Sequence, residues 1–293
     1  MTTDGDRVGE KSQPSGSTHG GKALLPLAPI ALFLALFYLY PTARMLYLAF
    51  GGSQPTLEYF RQFFVNDLYV DVLSFTLLMS LLVSVLSLVL AYPVAYALAT
   101  ASPRLRTILF VVVLVPWLVP ELVRNFTWLV ILQSNGMVAK LQQVVGLGSD
   151  PIIELGTVSA VTVGMVYVQL PLAILPMYAV MQRLDFSLMA VAASLGARPH
   201  RVIAQILIPL TMPGVATSAV LVFLTTLGFF ITPLILGGGQ HPFMANIIDI
   251  QVSRILNWEL GSALSVVLVV AGLGGMGIAS RVIGWRWLLG DVR

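Results

Sequence analysis

The 293-residue sequence has no cysteine, which excludes disulfides, thiolate zinc sites and cysteine nucleophiles. Charge is scarce: Asp, Glu, Lys and Arg make up 10% of positions, where a soluble domain carries roughly 25%. So little charge cannot cover a water-facing surface, and the solvent of this chain is largely lipid. No His, Asp and Glu cluster has metal-site spacing, and no nucleophile and base form a recognisable pair. No metal site, no catalytic residue and no nucleic-acid partner are therefore expected. The ten-residue alternating strands of a membrane barrel are missing, as is any obvious internal repeat.

What is present is apolar: 57% of positions, with a mean hydropathy of +0.90. A span needs about 20 mostly apolar residues, and charge-poor stretches of that length recur. They predict six spans at about 24–48, 72–100, 107–133, 156–182, 207–236 and 260–281, leaving no room for an added soluble domain. Backbone groups in lipid must be bonded internally, so the spans are helices and the fold class is an all-α membrane protein. Residues 1–22 are polar and rich in Gly and Ser, and read as a disordered cytoplasmic tail; 23–293 form the transmembrane domain. The first apolar run is too long for the 7–15 residues or so of a signal peptide and reads as a retained span.

Lys and Arg placement sets the orientation. With the amino terminus inside, the inner segments hold Arg7, Lys11, Lys22, Arg104, Arg106, Arg183, Arg198, Arg201, Arg281, Arg286 and Arg293. The outer segments hold Arg44, Arg61, Lys140 and Arg254. Both termini are placed in the cytoplasm of a multi-pass protein. Trp258 near one face, and Trp285 with Trp287 near the other, fit interfacial anchoring.

Prolines are dense in the spans: Pro93, Pro116, Pro120, Pro171, Pro176, Pro209, Pro213 and Pro233. Each removes a helix hydrogen bond and favours a kink, which suits either a transport path or the ordinary tolerance of membrane helices. Glu121 and Arg124 are the charges deep in a span, each costing about 2.5–3.5 kcal/mol at a helix centre. Three residues apart, they share a helix face and can pair. They read as a structural ion pair, or as a path-lining site where Glu121 meets a cationic solute. Asn125, Thr127 and Gln169 fit interhelical hydrogen bonding or solute contact. Gly16 to Lys22 mimics the start of a phosphate-binding loop, but Ala23 stands where Ser or Thr would meet magnesium and no strand precedes it.

The connection 183–206 is the informative one. Its first half suits a short helix with Leu188, Val191, Ala192 and Leu195 on one face. Gly196 breaks that helix, and Pro199 opens a second. His200 sits between Arg198 and Arg201 as a solvated basic anchor or a partner contact. A helix–turn–helix at the cytoplasmic surface suits a docking element.

This segment resembles the EAA loop of binding-protein-dependent ABC importer permeases, whose pattern is E-A-A-x3-G-x9-I-x-L-P. Ala192 falls on the second alanine, Gly196 on the glycine, Ile206 on the isoleucine and Pro209 on the proline, with Ile208 for the leucine. Ala190 replaces the glutamate and Val191 the first alanine. Arg124-Asn125-Phe126-Thr127-Trp128 with Gly136, Gln169-Leu170-Pro171 and Trp258 to Ser265 are similar to the spermidine/putrescine branch.

The resemblance implies a type I importer bundle that forms half of a pathway for a small organic solute, a polyamine or similar cation. It implies a coupling loop (Ala190, Ala192, Gly196, Ala197, Arg198, His200, Ile206, Pro209) and candidate pathway residues Glu121, Arg124, Asn125, Trp128 and Gln169. The implied partners are a second permease, similar or identical, two cytoplasmic ATP-binding subunits and a periplasmic solute-binding protein, in a bacterial inner membrane. ATP and magnesium belong to the ATPase, so this chain carries no cofactor and is not itself an enzyme. The rival reading is an ion-coupled secondary transporter, which has no need of a docking loop.

Overall fold

The computed structural model describes residues 28–146 and 153–283, and every regular element among them is helical. The tail 1–22 with its loop-like Gly16–Lys22, the start of the first span, and Trp285 and Trp287 lie outside the described residues. Among the described residues five helices are long and apolar enough to cross a membrane, and a bent pair makes a sixth if it counts as one span.

The first span-length helix, α1 (Pro29–Ala49), belongs up to Tyr47 to a separate unit from the rest. It widens to a π turn at Ala35–Leu39 just before Pro41, where the Tyr40 N–H reaches back five residues to the Ala35 carbonyl. Proline has no N–H and crowds the carbonyl four residues behind it, and the wider turn relieves that clash.

The second unit begins at Leu48, and its first whole helices are α2 (Glu58–Val65) and α3 (Asp67–Thr100). Next come α4 (Pro103–Leu118), α5 (Glu121–Ile131) and α6 (Met137–Val144). The central helix α7 (Val158–Met181) leads to the short α8 (Ser187–Ser194) and to α9 (Pro199–Leu227). The chain closes with α10 (Ile231–Leu236), α11 (Met244–Asp249) and α12 (Trp258–Ile283).

Two boundaries differ from the sequence expectation. Helix α3 starts at Asp67, five residues before the charge-free stretch, because Asn66 caps it by accepting the Leu68 N–H at 3.1 Å and an acidic first turn suits a helix N-terminus. The fifth span is not one helix over 207–236: it runs from Pro199 to Leu227, breaks at Gly228, and resumes as α10.

The third span departs further. Helices α4 and α5 meet at 98°. Val119 precedes Pro120 and is therefore extended (ψ 132°), and Pro120 cannot donate to the turn behind it. A proline that merely kinked the helix would have left its axis nearly continuous; here the helix restarts.

Helix α7 packs against α3 and α9. Ala91, Ala95 and Leu98 of α3, Ala173, Ile174, Met177 and Met181 of α7 and Val222 of α9 form a buried cluster. Three polar contacts fasten the trio. Tyr92 Oη and Thr211 Oγ1 are 3.0 Å apart, Ser218 Oγ donates to the Ala173 carbonyl at 2.7 Å, and Gln169 Nε2 reaches the Val222 carbonyl at 3.1 Å. A second cluster seats α11 and α12 on α2 and α3, through Phe63, Val72, Met244, Ile247 and Leu264. Outward, Leu78, Leu81, Val85 and Val89 of α3 and Val111, Val112, Val115 and Leu118 of α4 are exposed. Such an apolar exterior is stable against lipid or another apolar chain.

Candidate functional site

Two regions carry the residues singled out above. In the connection after α7, Asp185 Oδ1 accepts the Ser187 N–H at 2.9 Å. Hydrogen bonds from Ser187, the side chain first and the backbone second, hold the Asp185 carboxyl below its usual range. Helix α8 follows and ends in two bonds: Gly196 N–H to the Ala193 carbonyl at 3.0 Å, and Ala197 N–H to the Ala192 carbonyl at 3.1 Å. This is the Schellman closure, which needs a left-handed residue at Gly196, and its φ is +85°. A Cβ on Gly196 would meet nothing within 4 Å, so the requirement there is conformational and not steric.

Arg198 is extended (ψ 145°), as a residue before proline must be, and Pro199 opens the next helix. That helix passes through a second π turn, Ile203–Leu207, in which the Ile208 N–H bonds to the Ile203 carbonyl before Pro209. Ile206 and Pro209 are half-buried there. Leu188 and Val191 on α8 and Leu195 at its carboxyl cap are exposed at 49%, 56% and 83%, and Ala190, Arg198, His200 and Arg201 are exposed too. The loop thus turns a short apolar helix, flanked by cations, outward to an exposed position.

The second region is the break in the third span. The side-chain pair expected between Glu121 and Arg124 is not formed: among the described residues the ion pair is Arg61–Glu58 at 3.6 Å. Each charge has a helix end instead. Glu121 is half-exposed in the first turn of α5, where the helix dipole favours a carboxylate. Arg124 is buried at 8% exposure, and its Nη1 donates to the Trp117 and Val119 carbonyls at 3.3 and 3.5 Å, at the carboxyl end of α4.

Asn125 Nδ2 bonds back to the Glu121 carbonyl at 2.9 Å, and Thr127 Oγ1 to Val123 at 3.0 Å, so both satisfy their own helix. Trp128 packs edge-on against Tyr167, ring centroids 5.3 Å apart. Gln169 is 3% exposed, and its Nε2 is shared among the Val222 carbonyl, Thr225 Oγ1 at 2.6 Å and Thr226 Oγ1 at 2.8 Å. It is a tie between α7 and α9, hydrogen-bonded to neither Glu121 nor Arg124.

Ser218 completes that tie, and Tyr92 with Thr211 joins α3 to α9; sequence reasoning passed over all three. Hydroxyls in apolar helices are common, and nothing local marks which ones meet across helices.

The family model for binding-protein-dependent transport system inner membrane components matches residues 89–280, which include both regions. The spermidine/putrescine transport system permease protein PotB of Salmonella typhimurium (strain SL1344) is 34% identical over 153 residues, 52% of this chain and 53% of that protein. The inner membrane ABC transporter permease protein YdcU of Escherichia coli (strain K12) is 30% identical over 160 residues, 51% of each. The chain thus spans about half the length of the curated relatives it matches. A solved bacterial alginate ABC transporter, in complex with a periplasmic protein bound to an alginate pentasaccharide, contains a chain of the same fold. The TM-score is 0.75 at 16% identity, over 89% of this chain and 93% of that one.

Proposed function

Because the chain belongs to the family of binding-protein-dependent transport system inner membrane components, we propose that it forms half of the translocation pathway of an ATP-driven importer. The observation that carries the reading is α8: a short helix closed at Gly196, with Leu188 and Val191 on it and Leu195 at its cap all exposed. A second permease, similar or identical, supplies the other half. Two cytoplasmic ATPase subunits seat on the α8 loops, and a periplasmic binding protein delivers solute to the outer connections. Both termini lie in the cytoplasm of a bacterial inner membrane. ATP and magnesium act on the ATPase, and this chain does no hydrolysis.

The route of coupling follows from the covalent and hydrogen-bonded connections. The turn at Gly196 joins α8 to α9 through Pro199 with little slack. Helix α9 is fastened to α7 by Gln169 and Ser218 and to α3 by Tyr92. A push on α8 when the ATPases close is therefore delivered to three helices together. It biases the bundle between inward- and outward-facing states by the difference in binding free energy between them. The solute is a small amine-bearing molecule: relatives named for spermidine and putrescine support that class, and Glu121 offers the carboxylate.

The test is reconstitution of the complex with a panel of radiolabelled small amine-bearing solutes, diamines and ω-amino acids, as probes. An ATPase recovered in stoichiometric amount, and uptake that requires ATP and the binding protein, are expected. Uptake driven by a proton or sodium gradient without ATP would make the chain a secondary transporter.

A further inference from the structure

The guanidinium of Arg124 is left largely unanswered by this chain. It is 8% exposed, only Nη1 finds carbonyls, and Nε has no acceptor among the described residues. It lines a cleft of about 180 Å³ together with Trp117, Tyr167, Leu170, Pro171 and Ile174. Apart from the Tyr167 hydroxyl and the Trp117 indole N–H, the side chains of that lining are apolar, so little competes with a charge brought to Arg124. A buried cation without a partner is costly, and a carboxylate matches the planar guanidinium fork with two parallel bonds. One turn earlier on the same helix, Glu121 is half-exposed and makes no ion pair, so it is available to an ammonium.

Resting on the reading of this chain as an importer permease for amine-bearing solutes, we propose that the break between α4 and α5 binds a solute carrying a carboxylate as well as an ammonium. The carboxylate meets the free edge of Arg124 in the cleft and the ammonium meets Glu121. A short ω-amino acid satisfies both groups. A diamine of the same length sets one ammonium against the guanidinium, and like charges repel most where the surroundings are least polar. The separation of Glu121 from Arg124 by the two helix ends is what leaves each charge available for the solute.

The experiment is equilibrium binding to the purified permease with its partner subunits, without the binding protein. The probes are radiolabelled 4-aminobutanoate and 1,4-diaminobutane. The wild-type complex is expected to bind the amino acid at least about tenfold more tightly, the scale of one charge-assisted contact. Arg124→Gln should lose about that factor for the amino acid while keeping or improving diamine binding. Arg124→Lys, which keeps charge without the fork, should fall between. The proposal is overturned if wild-type protein binds the diamine as tightly or more so, or fails to bind the amino acid; neither needs a variant that folds. Equal loss of both probes in an Arg124→Gln complex of unchanged melting temperature, the mark of a purely structural arginine, also overturns it. The importer reading fails separately, on absence of a co-purifying ATPase, whichever probe binds.

Discussion

Gln169 on α7 donates through Nε2 to Thr226 Oγ1 on α9 at 2.8 Å, and so ties the central helix to the one that continues from the α8 loop. Hydrogen bonds between membrane helices contribute about 1 kcal/mol each, because a separated helix finds substitute partners. Thr226 keeps its own bond to the Val222 carbonyl. Gln169→Leu should therefore lower the melting temperature of the complex modestly, by about 1 kcal/mol of stability, with uptake per assembled complex retained. Lost uptake at an unchanged melting temperature would instead make Gln169 a solute contact.

Close approach of α7 and α9 depends on Gly214. A Cβ there would lie 3.0 Å from Met177 Cα and 3.1 Å from the Pro176 carbonyl oxygen, both backbone atoms that cannot swing aside. Gly214→Val should cost about 1–3 kcal/mol, the range for overpacking. Gly274→Ala, where a Cβ meets nothing within 4 Å, is the control and should melt as the wild type does. Equal stability of Gly214→Val and the control would show that the two helices pack more loosely than this.

The helical class and the turn at Gly196 were legible because both are written locally, in apolar run length and in a glycine before Arg-Pro. The 98° break was not. A hydropathy run records how much apolar chain there is and not its direction, and Pro116 and Pro120 announce a disturbance without an angle. The missing Glu121–Arg124 pair has a related cause: a rule about side chains three residues apart ignores helix ends, and here the α4 carbonyls and the α5 amino end compete for the two charges. Tyr92 and Thr211 are 119 residues apart, and no local pattern joins them.

Topology is testable with single cysteines, since the chain has none of its own. Asn135→Cys and Gln240→Cys, both at exposed positions in the connections placed outside, should react with a membrane-impermeant maleimide in intact cells. Arg198→Cys should react only after lysis. The reverse pattern would invert the orientation drawn from Lys and Arg placement.

Glu121→Gln removes a carboxylate and keeps its shape. With no ion pair to Arg124 to break, the complex should assemble as usual, while uptake of amine-bearing solute falls about tenfold, one charged contact of about 1.4 kcal/mol. Unchanged transport by an assembled complex would remove Glu121 from the pathway.

The central claim is that the α8 loop transmits ATPase work, and Gly196 tests it most directly. Its φ of +85° costs a β-branched residue about 1–2 kcal/mol, while open space around it tolerates the added volume. Gly196→Val should therefore distort the turn between α8 and Pro199 and leave the spans inserted. The measurement is ATPase activity of the reconstituted complex, with and without loaded binding protein, and subunit recovery on the same sample. The account predicts that the ATPase either detaches or stays bound without stimulation by the loaded binding protein. Normal recovery with normal stimulation in Gly196→Val would contradict it.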